Sequence, residues 1–279
     1  MNDHLNTLGV LNCGSSSIKF AIFELQAGSQ LCRCHAIIEN IGSQDAQGEL
    51  HLDDQHIPLN LPHHGYPMAM QALIKTLEEH SNLIHALSAT GHRVVHGGSD
   101  LTSACVVDEH ILSKLETCKH LAPLHNPANI LGIQTCQTLL PNIPHVAVFD
   151  TAFHKSIPDF ASTYALPWDI CQQHGIRKYG FHGISYDYVS KEVARRLNKP
   201  SEQCNMLVAH LGNGASICAI RNGKSVDTSM GMTPLAGLPM GTRCGDIDPS
   251  IIAKLAEATD LPLNKIMTLL SKESGLLGL

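Results

Sequence analysis

The sequence has no apolar run of the length a membrane span requires. Its apolar stretches, such as Met206–Ala209 and Leu276–Leu277, are only a few residues long. Lysines and arginines are scattered and the formal net charge is −6, so no basic stripe exists to displace counterions from nucleic acid. The N-terminus, M-N-D-H-L-N-T-L-G-V, has no basic region leading into an apolar one, which argues against a secretory signal. Ten cysteines are present, yet none forms a Cys-x-x-Cys pair, so zinc ribbons and redox dithiols have no support. His92 and His96 flank R-V-V with no helix-borne Glu between them, which removes a metalloprotease reading. Neither a G-x-x-x-x-G-K-[ST] loop nor a G-x-G-x-x-G fingerprint occurs. What is there is a chain of 279 residues, 43% hydrophobic and 16% charged, expected to be a soluble, cytoplasmic, core-forming protein.

The apolar pattern indicates an α/β chain with a repeated plan. Val10–Phe23 reads as strand, Gly/Ser turn and strand, with Ile18, Phe20 and Ile22 on one face. Weak strand signals follow, and residues 67–80 read as a helix through Met70, Leu73, Ile74 and Leu77. Ala89–Val95 reads as a strand, Asp108 and Asn126-Pro127 as helix starts, and His145–Phe149 as a short strand ending on Asp150. Ser185 then caps an expected helix marked by Val189, Val193 and Leu197. Leu207–Leu211, G-N-G-A-S and Ile217–Ile220 restate the strand–turn–strand design, and Asp248-Pro249 and Leu261-Pro262 open two more helices. The duplication predicts two related lobes, 1–152 and 153–279. The last residues, S-G-L-L-G-L, are apolar where termini are commonly polar, and they read as a chain cut inside its second lobe.

The most informative segment is Thr228–Gly245, T-S-M-G-M-T-P-L-A-G-L-P-M-G-T-R-C-G, whose only charge is Arg243. Its four glycines and two prolines forbid a regular helix or central strand. Such a loop suits close approach to an anion, although a buried loop with Arg243 paired to a distant carboxylate is the plainer alternative. Two Gly/Ser turns, one in each half, add candidate phosphate sites. In N-C-G-S-S-S-I-K, Asn12 opens the turn and Lys19 supplies a point charge; in H-L-G-N-G, His210 to Gly214, two glycines let backbone N–H groups form a nest. Either turn alone is an ordinary hairpin, whereas the pair suggests a nucleotide in a cleft between lobes. Arg93, in G-H-R-V-V-H-G-G, suits a carboxylate or a phosphoryl group, with a structural ion pair as the alternative. Asp150 lies just past a strand end, where ligand-facing groups gather in open α/β sheets, or else caps a turn. His182, in Y-G-F-H-G-I-S, is a further candidate beside the reading of a satisfied core histidine.

Seven strings together resemble the acetate kinase family, in order and at the family's spacing. They are V-L-N-C-G-S-S-S-I-K-F, G-H-R-V-V-H-G-G, L-A-P-L-H-N-P, V-F-D-T-A-F-H, Y-G-F-H-G-I-S-Y, A-H-L-G-N-G-A-S and M-T-P-L-A-G-L-P-M-G-T-R-C-G-D-I-D-P. The resemblance covers Val10 to Leu279 and implies two RNase-H-like lobes of the actin-like ATPase superfamily, the second of them incomplete. It implies reversible phosphoryl transfer from ATP to acetate with Mg²⁺ or Mn²⁺, in an enzyme that is a homodimer when full length. Carried over by motif, Asp150, His182 and Arg243 are catalytic, and Arg93, Val95, Leu124 and Pro234 bind the substrate. Lys19, His210, Leu211, Gly212, Asn213 and Gly214 bind ATP, and Asn12 lies near the metal. Acetate is already ionised at neutral pH and needs no general base, so Asp150 is expected to orient other groups rather than carry a proton.

Propionate kinase is the neighbouring reading, since one methylene is worth only roughly 1–3 kcal/mol in a pocket. A non-catalytic truncated fragment is the reading of another class, in which this length alone has little kinase activity and low solubility. An actin-like or chaperone-like ATPase has less support, because it leaves Arg93 and Arg243 without an acceptor to serve.

Overall fold

A computed structural model of the protein describes residues 6–26, 29–61 and 65–279. The first five residues, part of the stretch read above for a secretory signal, lie outside the described residues. The chain divides into two compact units, one running to Gly97 and resuming over Ser103–Phe149, the other formed by Gly98–Thr102 and Asp150–Leu279.

In the first unit, β1 (Asn6–Cys13) and β2 (Ile18–Gln26) form the hairpin expected from the alternation of Ile18, Phe20 and Ile22. Those three side chains are at most 3% exposed. β3 (Ser29–Glu39), β4 (Gln47–Leu52) and β5 (Gln55–Pro58) extend the antiparallel meander through the stretch of weak strand signals. Helix α1 (Gly65–His80) turns Met70, Leu73, Ile74 and Leu77 into the core shared with the strands. Each such side chain contributes on the order of 1.5–3 kcal/mol by leaving water.

The chain then adds β6 (Leu87–Val94), β7 (Cys105–Val106), α2 (Glu109–Thr117), α3 (Asn126–Leu139) and β8 (His145–Phe149). The sheet order is β5-β4-β3-β2-β1-β6-β8-β7, with β6 parallel to both β1 and β8. Helix α3 lies close on β1: a Cβ at Gly132 would stand 2.4 Å from Cys13 Sγ, so only glycine fits. The Asp108 side chain caps α2 by accepting from the Ile111 N–H at 2.8 Å.

At α3 the expected cap is displaced. His125 is the cap residue, and the buried Asn126 amide instead bonds the His96 N–H, the His96 carbonyl and the Cys118 carbonyl. One helix turn on, Asn129 accepts from the Val95 N–H at 3.0 Å and donates to the Cys13 carbonyl at 2.6 Å. The helix thus satisfies the backbone where β1 and β6 end, which a terminal cap could not do.

The second unit contains two short helices, α4 (Asp159–Ser162) and α5 (Trp168–His174), then α6 (Gly183–Arg196). An antiparallel sheet follows, ordered β11-β10-β9, from β9 (Met206–Leu211), β10 (Ala215–Arg221) and β11 (Lys224–Thr228). Helices α7 (Ser250–Thr259) and α8 (Leu263–Lys272) come last. Two expectations for α6 are corrected. Ser185 lies inside its first turn, not at its cap, and the helix buries Gly183, Tyr186, Ser190 and Ala194 while Leu197 stays 58% exposed. The reason is that Tyr186 packs with Val208, Cys218 and Ile220 while its hydroxyl bonds Ser216, so an aromatic with a polar tip sets the buried face. Among the described residues no helix is long and apolar enough to cross a membrane.

Candidate functional site

Within the first unit the hairpin register sets Asn12 directly opposite Lys19. Arg93, one strand over on β6, donates from Nη1 to Asn12 Oδ1 at 3.3 Å. These three sequence candidates therefore share one end of the sheet, with Lys19 exposed and Asn12 and Arg93 half-buried. The turn between the strands is fixed by the Gly14 N–H donating to the Ser17 carbonyl at 2.8 Å, and by Tyr66 of α1, which receives the Ser17 N–H at 3.1 Å. Val95 is buried just past β6, whereas Leu124 is 54% exposed.

Within the second unit the candidates cluster around His182. This residue is the cap of α6 and sits in the left-handed region at φ 60°, ψ 17°. A non-glycine residue held there costs on the order of 1–3 kcal/mol, and such strain gathers at sites where a side chain must be aimed. Glycine neighbours make the bend possible: a Cβ at Gly183 would meet the Asp150 carbonyl oxygen at 2.3 Å, and the Gly183 N–H donates to that oxygen at 2.8 Å. Asp150 itself is 2% exposed. The His182 ring lies 2.8 Å, Nδ1 to Oγ, from Ser216, which also bonds the Tyr186 hydroxyl. It stacks on His210 with centroids 4.0 Å apart, and His210 Nδ1 is held by Ser185 Oγ at 3.0 Å.

Arg243 completes the cluster. A Cβ built on Gly214 would lie 3.5 Å from Arg243 Nη1 and 3.5 Å from His182 Nε2, so the glycine turn runs against the end groups of both side chains. Arg243 Nη1 donates to the Pro234 carbonyl at 2.9 Å, and among the described residues no carboxylate pairs with it. Burial alone pulls its guanidinium below its ordinary pKa, with no acidic neighbour to offset the loss of water. The plainer sequence alternative, a structural pair with a distant carboxylate, is not found among the described residues.

The loop carrying Arg243 is irregular, as its glycines and prolines require, yet it is firmly held. Asp246 Oδ1 accepts from the Gly237 N–H at 2.7 Å, and the Gly241 N–H donates to the Asn213 carbonyl at 3.2 Å. Three amides of the last residues brace it as well: Ser274 N–H to Thr242 O at 3.1 Å, Leu276 N–H to Met240 O at 2.9 Å and Leu277 N–H to Gly241 O at 3.0 Å. Gly275, at φ +67°, is required there, since a Cβ would meet the Met240 carbonyl at 2.1 Å. Sequence reasoning missed Ser216, Tyr186 and this brace. Ser216 and Tyr186 stood inside motifs already quoted, whereas nothing local linked residues 274–277 to the arginine.

Comparison with known proteins agrees with the motifs. Residues 7–279 match the model of the Acetokinase family. Acetate kinase 1 of Vibrio cholerae is 48% identical over 271 residues, covering 97% of this chain and 68% of that protein. Acetate kinase of Shewanella baltica is 47% identical over 276 residues, covering 98% of this chain and 69% of that protein. Among solved structures, a propionate kinase from Francisella tularensis superposes with a TM-score of 0.93 at 43% identity, covering 98% of this chain and 70% of that one. An acetate kinase from Porphyromonas gingivalis gives 0.90 at 39% identity, covering 98% and 69%.

Proposed function

The chain belongs to the acetokinase family, a family of phosphotransferases on the α/β actin-like ATPase fold, and from that premise we propose that it moves the γ-phosphoryl group of ATP reversibly to acetate, giving acetyl phosphate and ADP. The observation that carries this reading is Arg243: a half-buried guanidinium beside His182 and Gly214, with no carboxylate partner among the described residues. A desolvated cation is retained at such expense where an anion will arrive to meet it.

In the forward direction an acetate oxygen forms a bond to the γ-phosphorus as the bond from phosphorus to the ADP oxygen breaks. Both reactants are anions, so neutralising and aligning them is the main task of the protein. Arg93 takes the acetate carboxylate, for which its planar fork is suited. Val95, Leu124 and Pro234 meet the methyl group. Lys19 and the turn His210, Leu211, Gly212, Asn213 and Gly214 hold the ATP phosphates. His182, aimed by Ser216 and its stack on His210, and Arg243 act on the migrating phosphoryl group. Asn12 Oδ1, which receives a long 3.3 Å bond from Arg93, is a neutral oxygen donor of the kind Mg²⁺ or Mn²⁺ takes alongside phosphates. When bound, that ion neutralises phosphate charge. The same reading makes residues 1–152 the first lobe and 153–279 part of the second, and the full-length enzyme a cytoplasmic homodimer; ten free cysteines suit a reducing compartment.

Acetate carries no proton at neutral pH, so Asp150 serves as an orienting group. Asp150→Asn is expected to lower kcat while leaving the shape of the pH–kcat/KM profile unchanged. Loss of one ionisation from that profile, with Mg²⁺ affinity intact, would instead assign Asp150 a proton-transfer role.

Propionate kinase activity is the second reading, favoured by the propionate kinase at a TM-score of 0.93. Trapping the acyl phosphate as its hydroxamate gives kcat/KM for both acids. Acetate is expected to lead by roughly 10-fold or more, the worth of one methylene. A higher value for propionate would reverse the assignment, and no acyl phosphate from either acid would end it.

A further inference from the structure

The outer edge of the first unit's sheet carries a side-chain cluster that phosphoryl transfer does not use. His35 on β3, His51 on β4 and His56 on β5 are direct ladder partners, His35 with His51 and His51 with His56. Glu49 lies two residues before His51 and so shares its face. The opposite face of β4 is anchored by Leu50 and Leu52, at 0% and 6% exposure, so a register slip that scattered the cluster would also expose the core.

The rings are ordered relative to one another. His35 and His51 stack in near-parallel planes at 4.4 Å, and His56 meets His51 edge-on at 4.1 Å. One Glu49 oxygen lies 3.1 Å from His51 Nε2 and the other lies 3.3 Å from His56 Nδ1. Hydrogen bonds from His56 and His51 hold the Glu49 carboxyl below its ordinary value, so it stands ready as an anionic donor. Two ring nitrogens and a carboxylate oxygen thus point at one another, all within 4.8 Å. In a tetrahedral zinc site with bonds of about 2.0–2.1 Å, neighbouring donors stand about 3.4 Å apart, so small rotations of the exposed Glu49 and His56 side chains toward the half-buried His51 suffice. Access is open, with the His56 side chain 65% exposed and that of Glu49 52% exposed.

We propose that Glu49, His51 and His56 form a surface site for a divalent transition cation of the kind imidazole prefers, such as zinc. Two nitrogens and one oxygen leave a fourth position to water, and His35 acts as a positioning residue by fixing the plane of the His51 ring. A bound ion ties edge strand β5 to β4, clamping a hairpin that otherwise relies on four ladder pairs.

The test is calorimetric titration of Zn²⁺ into the whole chain and into His51→Ala, His56→Ala and Glu49→Gln, with His174→Ala, an exposed histidine elsewhere, as control. One ion per chain is expected, with each cluster substitution weakening binding at least about tenfold and the control leaving it unchanged. Zn²⁺ is also expected to raise the thermal midpoint of the parent chain and not that of His56→Ala. Kinase activity in saturating MgATP should match the parent in every variant. Zinc binding that survives all three cluster substitutions places the ion elsewhere and overturns the proposal, as does a parent chain that binds no Zn²⁺ at millimolar concentration.

Discussion

Arg243→Ala is expected to lower kcat for acetyl phosphate formation by at least about 10³-fold, the usual loss when a guanidinium facing a transferring phosphoryl group is removed. Arg243→Lys should recover little, because a point charge cannot replace a planar fork of donors. The fold should survive both changes. Arg243 pairs with no carboxylate among the described residues, so its removal strands no buried anion, and the lost charged bond to the Pro234 carbonyl is worth about 1.5–3 kcal/mol, less than a typical domain's stability. Steady-state kinetics beside a thermal melt separate the two effects. An Arg243→Ala enzyme within tenfold of the parent would show that the guanidinium only supports its loop.

Between about pH 6.5 and pH 4 the protein is expected to lose stability steeply, ahead of the range in which carboxylates titrate. Burial pushes His92 down to about 3, with nearby His145 adding to the shift. Burial likewise pushes His96 and His154 down to about 4. His145 Nε2 lies 3.0 Å from the Leu140 carbonyl and must donate to it, so its Nδ1 accepts from His92 Nε2 at 3.0 Å. His154 is similarly committed, donating from Nε2 to the Phe181 carbonyl at 2.8 Å. Each ring is folded in its neutral form, while the unfolded chain takes up protons once the pH falls below about 6.5. The stabilisation is therefore complete above that pH and drains away as the pH falls toward the folded values. Each histidine contributes up to about 1.4 kcal/mol per pH unit, so three acting together can consume a typical stability of about 5–15 kcal/mol within a few units. Urea midpoints at half-unit steps from pH 7.5 to pH 4 measure the slope, and His154→Gln should flatten it. A midpoint constant down to pH 4.5 would contradict the account.

The sequence was most legible where chemistry is local. Ile18, Phe20 and Ile22 are fully or nearly fully buried, as their alternation demanded, and Asp108 caps the helix it precedes. Past Thr228, where β11 ends, residues 229–245 are irregular because their glycines and prolines permit nothing else. Legibility failed where a polar side chain reached across the fold. Asn126 looked like a helix cap, but its amide serves a strand end thirty residues away. Ser185 looked like another, but its hydroxyl bonds His210. In α6 the apolar spacing pointed to Val189, Val193 and Leu197; Val189 does pack against the buried cluster, but Leu197 is exposed and the buried stripe follows Tyr186, whose hydroxyl needed Ser216.

From the chain of residues alone came the α/β plan, the two glycine-bearing turns, the loop that could be neither helix nor strand, and the motif set that places the protein in its family. Those properties depend on backbone freedom and on apolar spacing, which neighbouring residues decide among themselves. Only the folded molecule determined that Arg243 has no acid beside it among the described residues, that His182 is bent into a left-handed conformation and gripped by Ser216, and that three histidines and a glutamate line up across β3, β4 and β5. A hydrogen bond or an unpaired charge is set by which distant groups arrive at the same point, and that is a property of packing, not of order along the chain.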